Sequence, residues 1–371
     1  MISNINFPFR QLTTALIFAV LFSFNAFAEG EENSEVHETA HAEKLDVGKM
    51  IMEHLLDAHD WHLWGEHHQA VSIPLPVILH TDKGFDVFMS SEFHHGTEIV
   101  HKKYDYKLAE RTIEIVDANG NIDHEANKTL KDISITKNVL ALFISIILLL
   151  FIMIPVANKY KANANQAPTG LQSLLEPIIL FIRDNIAIPN IGKKNYAKYM
   201  PFLLTLFFFI LINNLLGLIP FFPGGANLTG NISVPLTLSA TVLIIVIVTS
   251  NKHYWSHMLA MPGVPKPILL ILTPIEILGF VIRPFVLMMR LFANITAGHI
   301  VILSFVSLIF IFGAMSAAAG YGISIFSMLL VVFMSLLELL VAFLQAYVFT
   351  LLSAIYFGSA IEEGHHEGEH H

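Results

Sequence analysis

Polar and apolar positions divide this chain at Lys137. Upstream, apolar residues recur at helical spacing at Leu45, Ile51, Met52, Leu55 and Leu56, which predicts a helix over Lys44 to His59. Strand-like runs follow at Val71–His80 and Phe85–Met89. Arg111–Val116, ended by Asp117-Ala118-Asn119-Gly120-Asn121, predicts a hairpin with Asn-Gly at its tip. Residues 29–137 therefore read as a small α+β soluble domain. Downstream the pattern becomes almost continuously apolar. Spans are expected near 139–157, 200–219 and 234–250. The segment from Pro168 to Asn190 is shorter, and its Glu176, Arg183 and Asp184 suit a helix lying in the membrane interface. Two longer tracts, 268–312 and 323–357, are joined by the small-residue stretch Gly313–Gly322. As helices of 35 to 45 residues they reach roughly 50–70 Å, against ~30 Å of hydrocarbon, so they break at Pro274 or Pro284 or lie steeply tilted. A tilted hairpin suits packing against a curved surface. The expected fold is an all-α polytopic membrane protein. It has about five membrane-embedded helices plus an interfacial helix, preceded by a small α+β soluble domain.

The first 28 residues read as a signal peptide: Arg10 forms the positive start, Leu12 to Phe22 the apolar stretch, and Ala26-Phe27-Ala28 the cleavage site. A retained anchor is the alternative. On this reading residues 29–137 form an outer, His- and acid-rich domain, 138–360 the membrane domain and 361–371 a cytoplasmic tail. Lys and Arg give the same orientation independently. Lys159, Lys161, Arg183, Lys193, Lys194, Lys198, Lys252 and Lys266 all fall in segments on one side, whereas the opposite loops, Phe221–Ser233 and Ala314–Gly322, carry none. The expected location is a bacterial inner membrane, with the N-terminal domain periplasmic.

Composition narrows the function. The 371 residues are 54% hydrophobic and only 14% charged, with a mean hydropathy of +0.61, well away from the quarter-charged average of soluble domains. The absence of cysteine excludes disulfides, thiolate nucleophiles and Cys-based metal sites. The net charge of −9 and the lack of a basic patch argue against nucleic acid. No phosphate-binding G-x-x-x-x-G-K-[ST] loop occurs, so direct ATP binding is not expected.

The chemistry lies in charges that the two long tracts should not carry. Glu276, Arg283, Arg290 and His299 fall in the first and Glu338 in the second; each is costly at membrane depth and is a functional candidate on that ground. Glu276, Arg283 and Arg290 are spaced seven apart and return to one helical face, as do Glu338, Gln345 and Tyr356 on the second tract. His299 lies half a turn away from Arg290. Arg290 sits among apolar and small neighbours in Met288-Met289-Arg290-Leu291-Phe292-Ala293-Asn294. A guanidinium stays charged, so it attracts a carboxylate and repels passing protons rather than relaying its own. A structural arginine paired with Glu276 or Glu338 is the competing reading.

Arg290-Leu291-Phe292-Ala293-Asn294-Ile295-Thr296-Ala297-Gly298-His299, then Glu338 and Leu344-Gln345-Ala346-Tyr347-Val348-Phe349, resembles the signature of the ATP synthase subunit a family. Asn213-Asn214-Leu215-Leu216-Gly217-Leu218-Ile219-Pro220 is a third matching piece, and the resemblance runs from about Val139 to Glu363. It implies a proton-translocating stator subunit with two offset half-channels. Arg290 would face the ion-carrying carboxylate of the rotating c-ring. His299 and Glu338 match a polar pair that some members carry as Glu and His in the reverse order, His-then-Glu being a familiar arrangement too. Asn294 and Gln345 match polar residues beside the arginine, and Glu276 an acidic residue on the exit path; Tyr356 completes the stripe. The implied partners are the c-ring, stator subunit b, the other ATP synthase subunits and lipid. No cofactor is implied.

The N-terminal domain holds 12 of the 19 histidines, including His67-His68 and His94-His95, without a defined ligand spacing. A solvated acidic surface is the plainer reading and no metal site is assigned. Two rival functions stay open: a secondary cation transporter, which would show inverted repeats, and a His-rich metal-uptake protein.

Overall fold

The computed structural model describes residues 48, 57–64, 71–96, 99–109, 112–117, 119–162, 167–219, 222–259 and 264–362. The signal peptide, most of the helix expected over Lys44 to His59, the His67-His68 pair and the tail beyond Glu362 lie outside them. Of that helix, Gly48 is helical, and Asp57 to His59 already run into a strand.

The N-terminal region is β-rich. Strands β1 (Asp60–Trp64) and β2 (Val71–Pro74) pair antiparallel. Strand β3 (Pro76–Thr81) lies between β4 (Gly84–Met89) and β8 (Lys131–Asp132). Strands β5 (Ile99–His101), β6 (Asp105–Ala109) and β7 (Thr112–Val116) form a third sheet. Helix contributes a 3-10 turn, Ser90–Gly96, and a single turn, α1 (His124–Asn127), so the α+β expectation becomes mostly β among the described residues. The run expected over 71–80 is two strands, because Pro74 and Pro76 cannot donate to a continuous ladder. The Asn-Gly turn does reverse the chain: Gly120 has φ +81° and the Asp117 carboxylate accepts N–H groups of Asn119 and Asn121. Its second arm is only the bridge of Val116 with Ile122, and β7 pairs back to β6 instead. Alternation on β3 and β4 sends Val77, Leu79 and Phe88 into a core with Phe93, Tyr106 and Ile115.

The rest is helical. Helix α2 (Lys137–Ala162) follows directly on this region. Next come α3 (Leu171–Phe181), a π-helical turn, Ile182–Ala187, and α4 (Ile188–Ile191), which together make the segment from Pro168 to Asn190 helical. Then follow α5 (Tyr196–Leu218), α6 (Ser233–Thr249) and α7 (Lys252–Leu259). Among the described residues four helices are long and apolar enough to cross a membrane; α6 passes only together with α7, bent 105° from it, to give a fifth.

The two long tracts are single helices, α8 (Lys266–Met315) and α9 (Ala317–Ile361). Neither Pro274 nor Pro284 ends α8, as is common in apolar surroundings, where unbroken backbone hydrogen bonding is strongly favoured. At ~1.5 Å per residue they run about 75 and 68 Å. The connection is Ser316 alone, not the stretch 313–322: its hydroxyl caps α9 by accepting the Ala319 N–H, and Gly313 and Gly320 let the two helices meet closely. The membrane core gathers Leu203, Phe207 and Ile210 of α5, Leu287, Leu291 and Ile295 of α8, and Ala346, Phe349 and Phe357 of α9.

Candidate functional site

Antiparallel packing of α8 on α9 sets His299 against Glu338. Their Nδ1 and Oε1 atoms are 3.5 Å apart, and the Glu338 side chain is 4% exposed. Gly298 makes this possible, since a Cβ there would stand 2.8 Å from Glu338 Oε1. The other ring nitrogen of His299 lies 3.6 Å from where a Cβ on Gly217 of α5 would be. Among the described residues neither carboxylate oxygen of Glu338 has a hydrogen-bond partner, unusual for a buried carboxyl and suited to a group that exchanges a proton. Nearby, Asn214 ties three elements together: its amide donates to the Ala342 carbonyl one turn beyond Glu338, and its oxygen accepts the Thr229 hydroxyl.

Arg290 occupies the opposite side of α8. Leu287, Met288, Leu291 and Ile295 are buried, whereas Arg290, Ala293, Asn294 and Ala297 are exposed. The arginine thus stands on an open face with two alanines that leave room for a close neighbour. Among the described residues it makes no ion pair, so pairing with Glu276 or Glu338 is not seen; Glu338 faces His299 instead. Gln345 is buried seven residues beyond Glu338 on α9. Toward the other end of the hairpin, Arg283 and Tyr356 approach to 6.0 Å and line a crevice with Tyr254 and Phe280. Glu276, half-buried, lies within electrostatic reach of Tyr254.

Sequence comparison decides between the rival readings. The family described as "ATP synthase A chain" matches residues 139–358. The chain belongs to this family. It is 45% identical over 244 residues to ATP synthase subunit a of Chloroherpeton thalassium, covering 65% of this chain and 70% of that one. It is 39% identical over 247 residues to ATP synthase subunit a of Myxococcus xanthus, covering 64% and 77%. Residues 50–134 match a separate family described only as a domain of unknown function.

The ATP synthase A chain match covers every candidate residue in the long hairpin, and it extends through α2, α5 and α6. The structure unites His299 with Glu338 and places Arg290 and Asn294 together on the exposed face. It sets Tyr356 beside Arg283 rather than in contact with Gln345, eleven residues away on the same helix. Sequence reasoning gave no role to Gly298, Gly217 or Tyr254. Small residues facing a polar one across a helix contact were the available signal for Gly298; Tyr254 lies on α7, a helix too short and polar to stand out.

Proposed function

We propose that this chain is the proton-translocating stator subunit in the membrane sector of an ATP synthase, with Arg290 separating two offset half-channels. The observation that carries the reading is the division of α8 into two faces: a buried His299–Glu338 pair on one and an exposed Arg290 on the other. A buried carboxyl that makes no hydrogen bond among the described residues, with an imidazole 3.5 Å away, suits a group that gains and loses protons. An exposed guanidinium among apolar residues demands a counter-charge from outside the chain, and the carboxylates of a rotating c-ring supply it. His299 and Glu338 serve the outer half-channel, Glu276 with Tyr254 and Tyr356 the inner one, and Asn294 and Gln345 flank the arginine. A proton cannot cross directly; it rides the ring between them. ATP chemistry belongs to other subunits.

The proposed setting is a bacterial inner membrane. After removal of residues 1–28, residues 29–137 lie in the periplasm, 138–360 in the bilayer and 361–371 in the cytoplasm, with stator subunit b and lipid as further neighbours. Family membership leaves the secondary-transporter reading without support. The test is ATP-driven acidification in membranes carrying Arg290→Ala. Pumping is expected to vanish with subunit content unchanged, and Arg290→Lys to restore it only in part, because an ammonium lacks the planar fork. Normal pumping by Arg290→Ala would remove the basis of the proposal.

A further inference from the structure

We propose that protons reach the His299–Glu338 pair through a polar seam between the start of α2 and the 222–232 loop, and that the β1–β2 hairpin is the cover of that seam. This rests on the assignment of His299 and Glu338 to the outer half-channel.

A short series of contacts joins the hairpin to the pair. Trp61 of β1 is 3% exposed and packs in one cluster with Ala141 of α2 and Ala226 of the loop. Its ring also meets Phe222 edge-on at 5.2 Å. The carbonyl of Ala226 lies 3.7 Å from where a Cβ on Gly217 would be, and that same position lies 3.6 Å from His299 Nε2. Ala226 is thus shared by the cluster around Trp61 and by the surroundings of Gly217, which His299 also borders.

Polar atoms left over in this zone mark the seam. Asn138, one turn before Ala141 on the same face of α2, is 5% exposed, and its Oδ1 has no partner. Asn227, next to Ala226, is 6% exposed; its Oδ1 accepts the Gly230 N–H, but its Nδ2 has no partner. Both oxygens of Glu338 are in the same condition. Buried polar atoms in folded proteins are satisfied by protein or by water. Asn138 Oδ1, Asn227 Nδ2 and the Glu338 oxygens, which have no hydrogen-bond partner among the described residues, are the atoms that water along such a route would satisfy. Lys137 is buried beside Asn138 at the start of α2. Trp61 packs in an apolar cluster with Ala141 and Ala226, against Leu140 and Ile144 of α2, and as a cover it limits what enters.

The chain has no cysteine, so single thiols can probe the seam in the assembled complex. Asn138→Cys and Asn227→Cys are treated with silver ion from the periplasmic side, and ATP-driven acidification is then measured against the identically treated parent. Silver is expected to lower pumping of both variants several-fold and to spare the parent. Adding Trp61→Ala should speed inhibition by a bulkier cationic methanethiosulfonate about tenfold, as expected when a large packed side chain is truncated and local opening becomes easier; Trp61→Phe should not. Should either asparagine variant be missing from membranes, Ala226→Cys takes its place with the same expected and contrary results. Silver-insensitive pumping at normal subunit content refutes the seam, and equal reagent rates with and without Trp61 refute the cover. His299→Ala, run alongside, separates the two levels: if it pumps at the parental rate, the half-channel assignment itself has failed.

Discussion

At the scale of single residues, the arrangement turns on a histidine and a glutamate that touch from neighbouring helices. The two side chains meet across one contact, from which it is predicted that either position can hold the acid. His299→Ala and Glu338→Ala are each expected to slow ATP-driven acidification about a hundredfold, the lower end for losing a positioned proton-transfer group. The exchanged double variant, His299→Glu with Glu338→His, should regain at least about tenfold over the worse single change. If it regains nothing at equal subunit content, the residues do not act as an interchangeable pair. A second residue-scale expectation concerns the junction with α2. Burial works to raise the pKa of Asp132, yet hydrogen bonds from His59, at 2.8 Å, and from Ser134 outweigh it and hold the carboxyl below its ordinary range. A lowered folded-state value means that this stabilisation is complete above the unfolded pKa of about 4 and fades as pH falls through the lower folded value. Protease resistance of the purified complex should therefore drop below about pH 4, and Asp132→Asn should flatten that dependence. Much of this was legible beforehand. Seven-residue spacing placed Glu276, Arg283 and Arg290 on one face without coordinates. Asn138 and Asn227 were not, because a buried amide and a solvated loop amide look identical in sequence.

At the scale of elements, apolar run length located the long helices, and what it missed follows from how helices end. Run length detects where hydrophobicity fades, whereas a helix continues until its hydrogen bonding stops. The small residues 313–322 look like a loop in sequence, yet all but Ser316 are helical, because Gly320 lets α9 press onto Gly313 of α8. Small residues here mark close packing on either side of the reversal, which takes Ser316 alone. Strands β5 and β6 escaped notice because they are short and polar on one side. The same packing logic makes a prediction near the C-terminus. Gly358 of α9 lies so close to the backbone of Asn190 in α4 that any Cβ collides with the Asn190 carbonyl oxygen. Backbone cannot rotate aside as a side chain can, so Gly358→Val should cost at least ~1–3 kcal/mol and deplete the subunit from membranes. Gly322→Ala, where nothing lies within 4 Å, should leave the subunit level unchanged or slightly higher. Equal levels for the two variants would mean that the α9–α4 contact does not anchor the hairpin.

At the scale of the whole molecule, the question is whether the N-terminal domain belongs to the mechanism or only stands beside it. Its attachment is polar as well as apolar. The Asp57 carboxylate accepts the Thr136 hydroxyl at 2.7 Å and the Asn138 N–H at 3.0 Å, which caps α2 from outside the helix and places a negative charge at its positive end. Ile133 and Ile135 then run along β3, so the first span begins on a rigid sheet. Removing residues 29–127 with the leader retained strips away this cap, worth about 1 kcal/mol, together with Trp61 and the rest of the hairpin. None of Arg290, His299, Glu338 or Glu276 is lost. The expected outcome is a lowered subunit content with residual ATP-driven acidification that Arg290→Ala abolishes. Per subunit, the residual pumping should also become more sensitive to bulky cationic thiol reagents at Asn227→Cys, because the cover has gone. A truncated chain that assembles at full level yet shows no coupling would place the domain inside the essential path. The cap at α2 would then be the first contact to examine, since it is the link by which the domain fixes the depth and direction of the helix that carries Asn138.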